Sequence, residues 1–333
     1  MMNKDKLIEI VARLTKTPKG ILAIDESVAT CNKRFEKLGI PQTEEKRREY
    51  RELLITAPNI EKYVSGYIFF DETIREYAKD SKSLTSKLQF KGIDIGIKVD
   101  QGLVDFPLHP NEKISQGLDV LSNRLKEYKK MGVTFAKWRV VYNIGENSPS
   151  EDCIKENTTT LLKYALICQG LDIVPIIEPE VLMDGDHSIE KCYEVMAHNF
   201  DVLFFELQNF GIFIPGLILK TGMVLPGKDA PASSPEEVAR MTLKCLREHV
   251  PAHIGGIVFL SGGQSEEDAI MNLNTMHKES PLLWPLTFSY SRAIQNRVLE
   301  FWARNSSGTA EAQALLLLIA KNNSDASVGQ YIK

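Results

Sequence analysis

Eight times along this chain of 333 residues an apolar, β-branched run gives way to a helical pattern. The runs are GILAIDE (20–26), VSGYIFF (64–70), DIGIKVD (94–100), VTFAKWRV (133–140), DIVPIIEPE (172–180), GLILKT (216–221), IGGIVFLSG (254–262) and PLTFSY (285–290). They begin about 30 to 45 residues apart, the length of one strand, one helix and their loops. Their near-continuous apolarity predicts strands buried on both faces, as in a parallel sheet. Amphipathic helices fall between them. TEEKRREYRELLITA (43–57) carries acids in its first turn, and SEEDAIMNLN (265–274) opens with a Ser-x-x-Asp cap. Eight such units predict an α/β chain folded as a (β/α)8 TIM barrel. The competing open, doubly wound sheet lacks its signature, because no run leads into GxGxxG.

One barrel absorbs the whole length, and no Gly/Ser linker interrupts it, so residues 1–333 are expected to form a single domain. Residues 306–333, with TAEAQALLLLIAKNN, are expected to add a C-terminal helical segment with an apolar face. The net charge of −4 supplies no global field for nucleic acid, so an anionic substrate would need a local cluster of cations. The longest apolar run, ALLLLIA (314–320), falls far short of the ~20 residues that span a bilayer. The N-terminal MMNKDKLIEIVARL reads as a charged amphipathic helix, not a targeting segment. Five cysteines without CxxC spacing read as reduced thiols of a cytoplasmic protein.

Most of the runs end in charged residues, several of them two apart: Lys98 and Asp100, Lys137 and Arg139, Glu178 and Glu180. Residues i and i+2 of a strand share a face. If that face is the barrel interior, the three pairs converge at the C-terminal mouth, where barrel enzymes place their chemistry. Asp25 and Lys220 end two further runs. A solvated rim is the alternative for any single pair, but it does not explain charges interrupting otherwise buried strands at five runs.

Lys220 closes an apolar strand, and a buried ammonium is costly unless it is paired or loses its proton. Only a neutral amine attacks a carbonyl, and burial and a neighbouring cation both favour that form. Lys137 and Arg139 are the expected cations, and a Schiff base with a ketone or aldehyde is the expected chemistry. A lysine paired with Glu178 or Glu180 and keeping its proton is the competing reading. Dehydration of a carbinolamine needs a proton shuttle, for which Glu178 or Glu180 is suited if crowding raises its pKa.

LSGGQSEED follows the seventh run. Ser261, Gly262 and Gly263 form a loop whose N–H groups can meet an anion beside the helix opening at Ser265. The eighth run leads into Arg292, a fork-shaped donor. Together they predict a phosphate site, with Lys98 and Ser27 able to hold a second phosphate. DGDH (184–187) has metal-ligating residue types, but without HxH or HExxH elsewhere it reads as a polar turn, and no metal or other cofactor is expected.

The motifs KGILAIDES, GIKVDQG, FAKWR, IIEPEVLMDGDH, LILKTGMVLPG, FLSGGQSEE and LTFSYSRA occur in this order. In them the chain, over about residues 15–305, resembles the class I, Schiff-base-forming fructose-1,6-bisphosphate aldolases. The resemblance implies a (β/α)8 barrel, usually a homotetramer, that cleaves a phosphorylated sugar without a metal, and no nucleic-acid or membrane partner. It implies Lys220 as the Schiff-base lysine, Glu178 as the acid/base of dehydration and Glu180 as its partner. It implies Asp25 as the base for the C4 hydroxyl, with Lys137 and Arg139 stabilising charge and positioning substrate. It assigns Ser261, Gly262 and Arg292 to the C1-phosphate site, Ser27, Lys98 and Thr30 to the C6-phosphate region, and Ser289 to substrate binding. Three departures stand out: Ser291 where many members have glycine, LKTG for LKPN, and Ile24 for a small residue. The chain ends in GQYIK, so Tyr331 is not given the proton-transfer role of a terminal tyrosine. Rival readings are another Schiff-base barrel enzyme, such as a transaldolase or a sedoheptulose-bisphosphate aldolase, and a non-catalytic scaffold.

Overall fold

The computed structural model describes residues 2–279, 281–305 and 308–333. Its strands are β1 (Gly20–Ala23), β2 (Val64–Phe69), β3 (Asp94–Lys98), β4 (Leu103–Asp105), β5 (Lys113–Ser115), β6 (Val133–Tyr142), β7 (Val174–Val181), β8 (Ile218–Thr221), β9 (Gly256–Phe259) and β10 (Leu286–Tyr290). Eight of them close a parallel barrel in the order β1-β2-β3-β6-β7-β8-β9-β10, with β10 returning to β1. These eight are the runs read from the sequence. The short antiparallel hairpin β4–β5 was not foreseen; it stands apart as its own sheet after β3.

The helices are α1 (Lys4–Leu14), α2 (Val28–Lys37), α3 (Glu44–Thr56), α4 (Asp71–Ile74), α5 (Leu84–Phe90), α6 (Leu121–Lys130), α7 (Glu151–Gly170), α8 (Ile189–Asn209), α9 (Pro235–His249), α10 (Glu266–Lys278), α11 (Arg292–Arg304) and α12 (Thr309–Ala326). Serine hydroxyls start many of them. Ser27, Ser150, Ser188, Ser234 and Ser265 each accept the N–H three residues on, filling one of the donors that a helix start leaves unpaired.

Two apolar cores divide the strand residues by parity. Leu22, Ile95, Trp138, Ile177, Leu219 and Ile257 face outward beneath the helices. Ile21, Ile68, Phe135, Val174, Ile176, Ile218 and Val258 fill the interior, together with Leu7, Ile10, Val11 and Leu14 of α1. Helix α1 therefore plugs the N-terminal end of the barrel. The interior is so full there that a Cβ at Gly96 would stand 2.2 Å from the Phe135 ring, and one at Gly66 2.7 Å from Leu14. Only glycine lets β2 and β3 pass those side chains.

Helix α12 packs on α11, α10 and α3. Gln313 ties it to the end of α3 by donating to the Leu53 carbonyl at 3.0 Å. The last residues lie against α10, where the Tyr331 N–H donates to Asn274 Oδ1 at 3.0 Å and the Tyr331 carbonyl accepts from Asn274 at 3.3 Å.

Candidate active site

The interior parity explains how charge enters the barrel. Counting by twos from the apolar plug, Ile21 leads to Asp25, Phe135 to Lys137 and Arg139, Ile176 to Glu178 and Glu180, and Ile218 to Lys220. The interior turns from apolar to ionic within one or two steps along each strand. Above this layer opens a cavity of about 640 Å³.

At its floor Lys137 Nζ lies 2.7 Å from Asp25 Oδ2 and 2.9 Å from Glu178 Oε2. Lys220 Nζ lies 3.2 Å from the other Glu178 oxygen, Oε1. Asp25, Lys137, Glu178 and Lys220 are all buried, none more than 8% exposed. Arg139 donates through Nε to Glu180 Oε2. Burial pushes Asp25 up, but Lys137, Lys220 and Lys98 outweigh it and hold the carboxyl down at about 2. Glu178 is likewise raised by burial and drawn below its ordinary range by Lys137, Lys220 and Arg139. Burial works against the Lys137 ammonium, yet Asp25, Glu178 and Asp100 raise its pKa. Each carboxylate thus faces a cation, and the ionic layer is held together by pairing in a dry environment.

Two expectations change here. Crowding at Glu178 comes from cations rather than from its neighbour Glu180, so its pKa falls instead of rising. The neighbour at Lys220 is a carboxylate, and the cation Lys137 stands on the far side of it. The sequence fixes neither point, since both depend on which rotamers meet across β6, β7 and β8.

Of the residues singled out from the sequence, Asp25, Thr30, Lys137, Arg139, Glu178, Glu180, Lys220, Ser261, Gly262, Ser289 and Arg292 line this cavity. Ser27 and Lys98 do not. The Ser27 hydroxyl is engaged with the N–H and hydroxyl of Thr30, and Lys98 Nζ turns to Asp100, 2.6 Å from Oδ1 and 3.0 Å from the carbonyl. Gly262 reaches the cavity wall with φ of +55°. The start of α10 at Ser265 stands outside the lining, and the acids Glu266, Glu267 and Asp268 occupy its first turn. Ser289 is 1% exposed and its hydroxyl has no hydrogen-bond partner among the described residues, which leaves it free to meet a ligand. Tyr331 is not in the lining. Asp184 of the DGDH turn pairs with Lys228 at 2.6 Å, and among the described residues no group of three His, Cys, Asp or Glu could hold a metal.

Sequence reasoning missed Glu26, Lys33, Arg34, Lys37, Asn296 and Glu300, which also line the cavity. The signal was present: Thr30, Lys33, Arg34 and Lys37 are spaced three, four and seven apart, one face of the helix that follows β1. With them the lining holds seven cations against five carboxylates, a local positive excess inside a chain of net charge −4. Arg292, exposed at the start of α11, has no ion pair among the described residues.

A family model described as fructose-bisphosphate aldolase class-I matches residues 6–333. The chain is 46% identical over 332 residues to a probable fructose-bisphosphate aldolase class 1 of Xanthomonas campestris pv. campestris, covering 99% of each. It is 45% identical to the cytosolic fructose-bisphosphate aldolase 5 of Arabidopsis thaliana, covering 98% of this chain and 92% of that one. A crystal structure of fructose-bisphosphate aldolase from Plasmodium falciparum, in complex with TRAP and a small-molecule inhibitor, superposes with a TM-score of 0.97 at 41% identity, over 99% of this chain and 96% of that one. On fold, family model and relatives alike, the chain belongs to the class I fructose-bisphosphate aldolases.

Proposed function

We propose that this aldolase cleaves fructose 1,6-bisphosphate reversibly to dihydroxyacetone phosphate and glyceraldehyde 3-phosphate through a Schiff base on Lys220. The observation that carries the reading is the Asp25–Lys137–Glu178–Lys220 chain of contacts at the cavity floor. Glu178 Oε1 is placed to take the Lys220 proton, and the freed amine attacks the C2 carbonyl. Glu178 then returns the proton to the carbinolamine hydroxyl, which leaves as water, and the iminium is formed. Asp25, ionised at neutral pH, accepts the C4 hydroxyl proton. The C3–C4 bond breaks, its electrons move into the iminium to give an enamine, and the aldehyde leaves. Protonation at C3 and hydrolysis free the ketone and restore Lys220. Lys137 balances the two carboxylates as protons move between them.

The cationic lining holds the phosphates, which supply binding energy remote from the reacting carbons. Ser261, Gly262, Ser289 and Arg292 form one end, and Thr30 with Arg34, Lys33 and Lys37 of α2 forms the other. Lys98 acts on the cavity floor through its charge, since it is among the cations that lower Asp25. Borohydride reduction in the presence of dihydroxyacetone phosphate tests the mechanism. A stable adduct is expected on Lys220 and none in Lys220→Ala; an adduct elsewhere, or none, overturns it.

We read residues 1–333 as one catalytic barrel domain, with 306–333 as its C-terminal helical segment, in a cytoplasmic homo-oligomer. Leu166, Phe205 and Phe210 are exposed between α7 and α8, where they line an apolar groove bordered by Lys155, Lys163, Asp201 and Glu206. An apolar centre rimmed by both signs of charge suits a self-complementary contact between two copies. The five cysteines are buried free thiols, as a reducing compartment requires. No helix among the described residues is long and apolar enough to cross a membrane.

A further inference from the structure

Glu26 follows Asp25 but points the other way. Asp25 enters the barrel interior, and the alternation of the chain sends Glu26 outward, toward the layer of α2 and α3. There its carboxylate meets two guanidinium groups. Arg51 Nη1, on α3, lies 2.8 Å from Oε2, and Arg34, on α2, donates to Oε1. The two arginines are not equivalent. Arg34 lines the cavity, whereas the Arg51 side chain is 2% exposed, lies against the Tyr50 ring and has no place in the lining.

The carboxylate is held from further sides. The Ser291 hydroxyl donates to Oε1 at 3.3 Å and accepts from Gln295 Nε2 at 3.1 Å. Gln295 is itself fixed, donating to the Ala23 carbonyl at 2.6 Å and accepting the Tyr50 hydroxyl at 2.9 Å. Arg34 is braced on its other side by Asn296 Oδ1 at 3.2 Å. Glu26 has little room to turn, and Arg34 keeps its guanidinium at the cavity wall. Burial would push Glu26 toward the neutral acid, but Arg51 and Arg34 hold it ionised.

Two cations and one anion leave one positive charge. If Arg34 were the sole partner of Glu26, their charges would cancel and the wall would present a neutral pair to an incoming dianion. With Arg51 behind the carboxylate, the cluster carries a net +1, and of its three members Arg34 and Glu26 reach the cavity while Arg51 does not. We propose that Arg51 is a positioning residue for the phosphate end of the site: by balancing the charge of Glu26 from behind, it leaves the charge of Arg34 available to the substrate. This deepens the reading above and rests on its placing a phosphate beside α2. Arg51 acts at second hand, through Glu26, and touches no substrate atom.

The test uses hexitol 1,6-bisphosphate and hexitol 1-phosphate, which have no carbonyl and bind without reacting, titrated calorimetrically into the full chain. Arg51→Met is expected to weaken the bisphosphate about tenfold, the order expected for one charge lost near the site. The monophosphate, seated at the opposite end, is expected to change less than twofold. The double variant Arg51→Met, Glu26→Gln restores the net +1 and leaves no unpaired carboxylate, so its bisphosphate affinity is expected within about threefold of the parent. A merely structural Arg51 predicts the reverse, with the second substitution adding to the loss. Unchanged bisphosphate binding in Arg51→Met, an equal loss for both hexitols, or a double variant weaker than threefold overturns the proposal. If Arg51→Met does not fold, the double variant decides by the same threshold. A parent chain that binds neither hexitol overturns the substrate reading instead, which keeps the two failures apart.

Discussion

Lys137 is the hinge of the ionic layer, since it touches both Asp25 and Glu178. Replacing it with methionine leaves two buried carboxylates facing each other without their shared cation, and each loses the main influence that lowers its pKa. We expect Lys137→Met to lower kcat at least ~100-fold and to move the acid limb of the kcat/KM profile upward by about a unit or more, because coupled carboxylates cannot both ionise cheaply. An acid limb left in place would show that the pairing does not control the site. Glu178→Gln keeps the shape but removes the proton acceptor beside Lys220, and a loss in kcat of ~10²–10⁴ with little change in KM is expected from steady-state assays.

Much of this layer was legible in single residues. Asp25, Lys137, Glu178 and Lys220 interrupt apolar strands, and parity puts them on one face. Their pairing was not legible. Whether Lys220 meets a cation or a carboxylate depends on strand stagger and rotamers, which a pattern of twos does not encode. Ser27 illustrates the same limit: its residue type fits a phosphate ligand, but its position makes it the cap of α2, and the cap takes its hydroxyl.

Among elements, β3 and β6 pass each other closely. The Phe135 ring fills the space that a side chain on Gly96 would need, with a would-be Cβ at 2.2 Å. Gly96→Ala is expected to destabilise the fold by about 1–3 kcal/mol, and Phe135→Leu in the same chain is expected to recover part of that loss. Urea unfolding of the single and double variants measures both; equal destabilisation with and without Phe135→Leu would place the strain elsewhere. The strands themselves were readable because each is buried on both faces and bounded by a polar loop. The hairpin β4–β5 was not, because its residues are mostly half-buried or exposed and lack a strong alternation. The cationic face of α2 was overlooked for a different reason. Its charges look like an ordinary solvated helix until β1 fixes which way the helix lies.

For the whole molecule, acid should loosen the fold in two stages. His277 is half-buried and held neutral; desolvation lowers its pKa to about 4, although its ring approaches the Leu286 carbonyl at 2.9 Å. An unfolded histidine titrates near ~6.5, so between about 6.5 and 4 the unfolded chain binds the proton and the folded one resists it. The stability from His277 is full above ~6.5 and falls away as pH drops toward 4, by on the order of 2–3 kcal/mol. Asp25, held at about 2, contributes above its unfolded value near ~3.8 and loses that contribution below it. Chemical denaturation across pH 3 to 7 is expected to show the first decline, and His277→Gln is expected to flatten it. In assembly, Phe205→Glu is expected to shift sedimentation to a smaller species while leaving the fold intact. The barrel as a whole was readable from eight intervals, but the role of α1 was not. Its amphipathic pattern announces a helix without saying that the helix enters the barrel.

That placement bears on the order of events during turnover. Leu7, Ile10, Val11 and Leu14 seal one end of the β-cylinder, so sugar, aldehyde and water share a single doorway. Glyceraldehyde 3-phosphate held in that doorway would stand between bulk water and the covalent intermediate proposed on Lys220. On that reading the first product is expected to depart before the second is cut loose, and the sealed floor makes the sequence of departures a matter of plumbing as much as of chemistry.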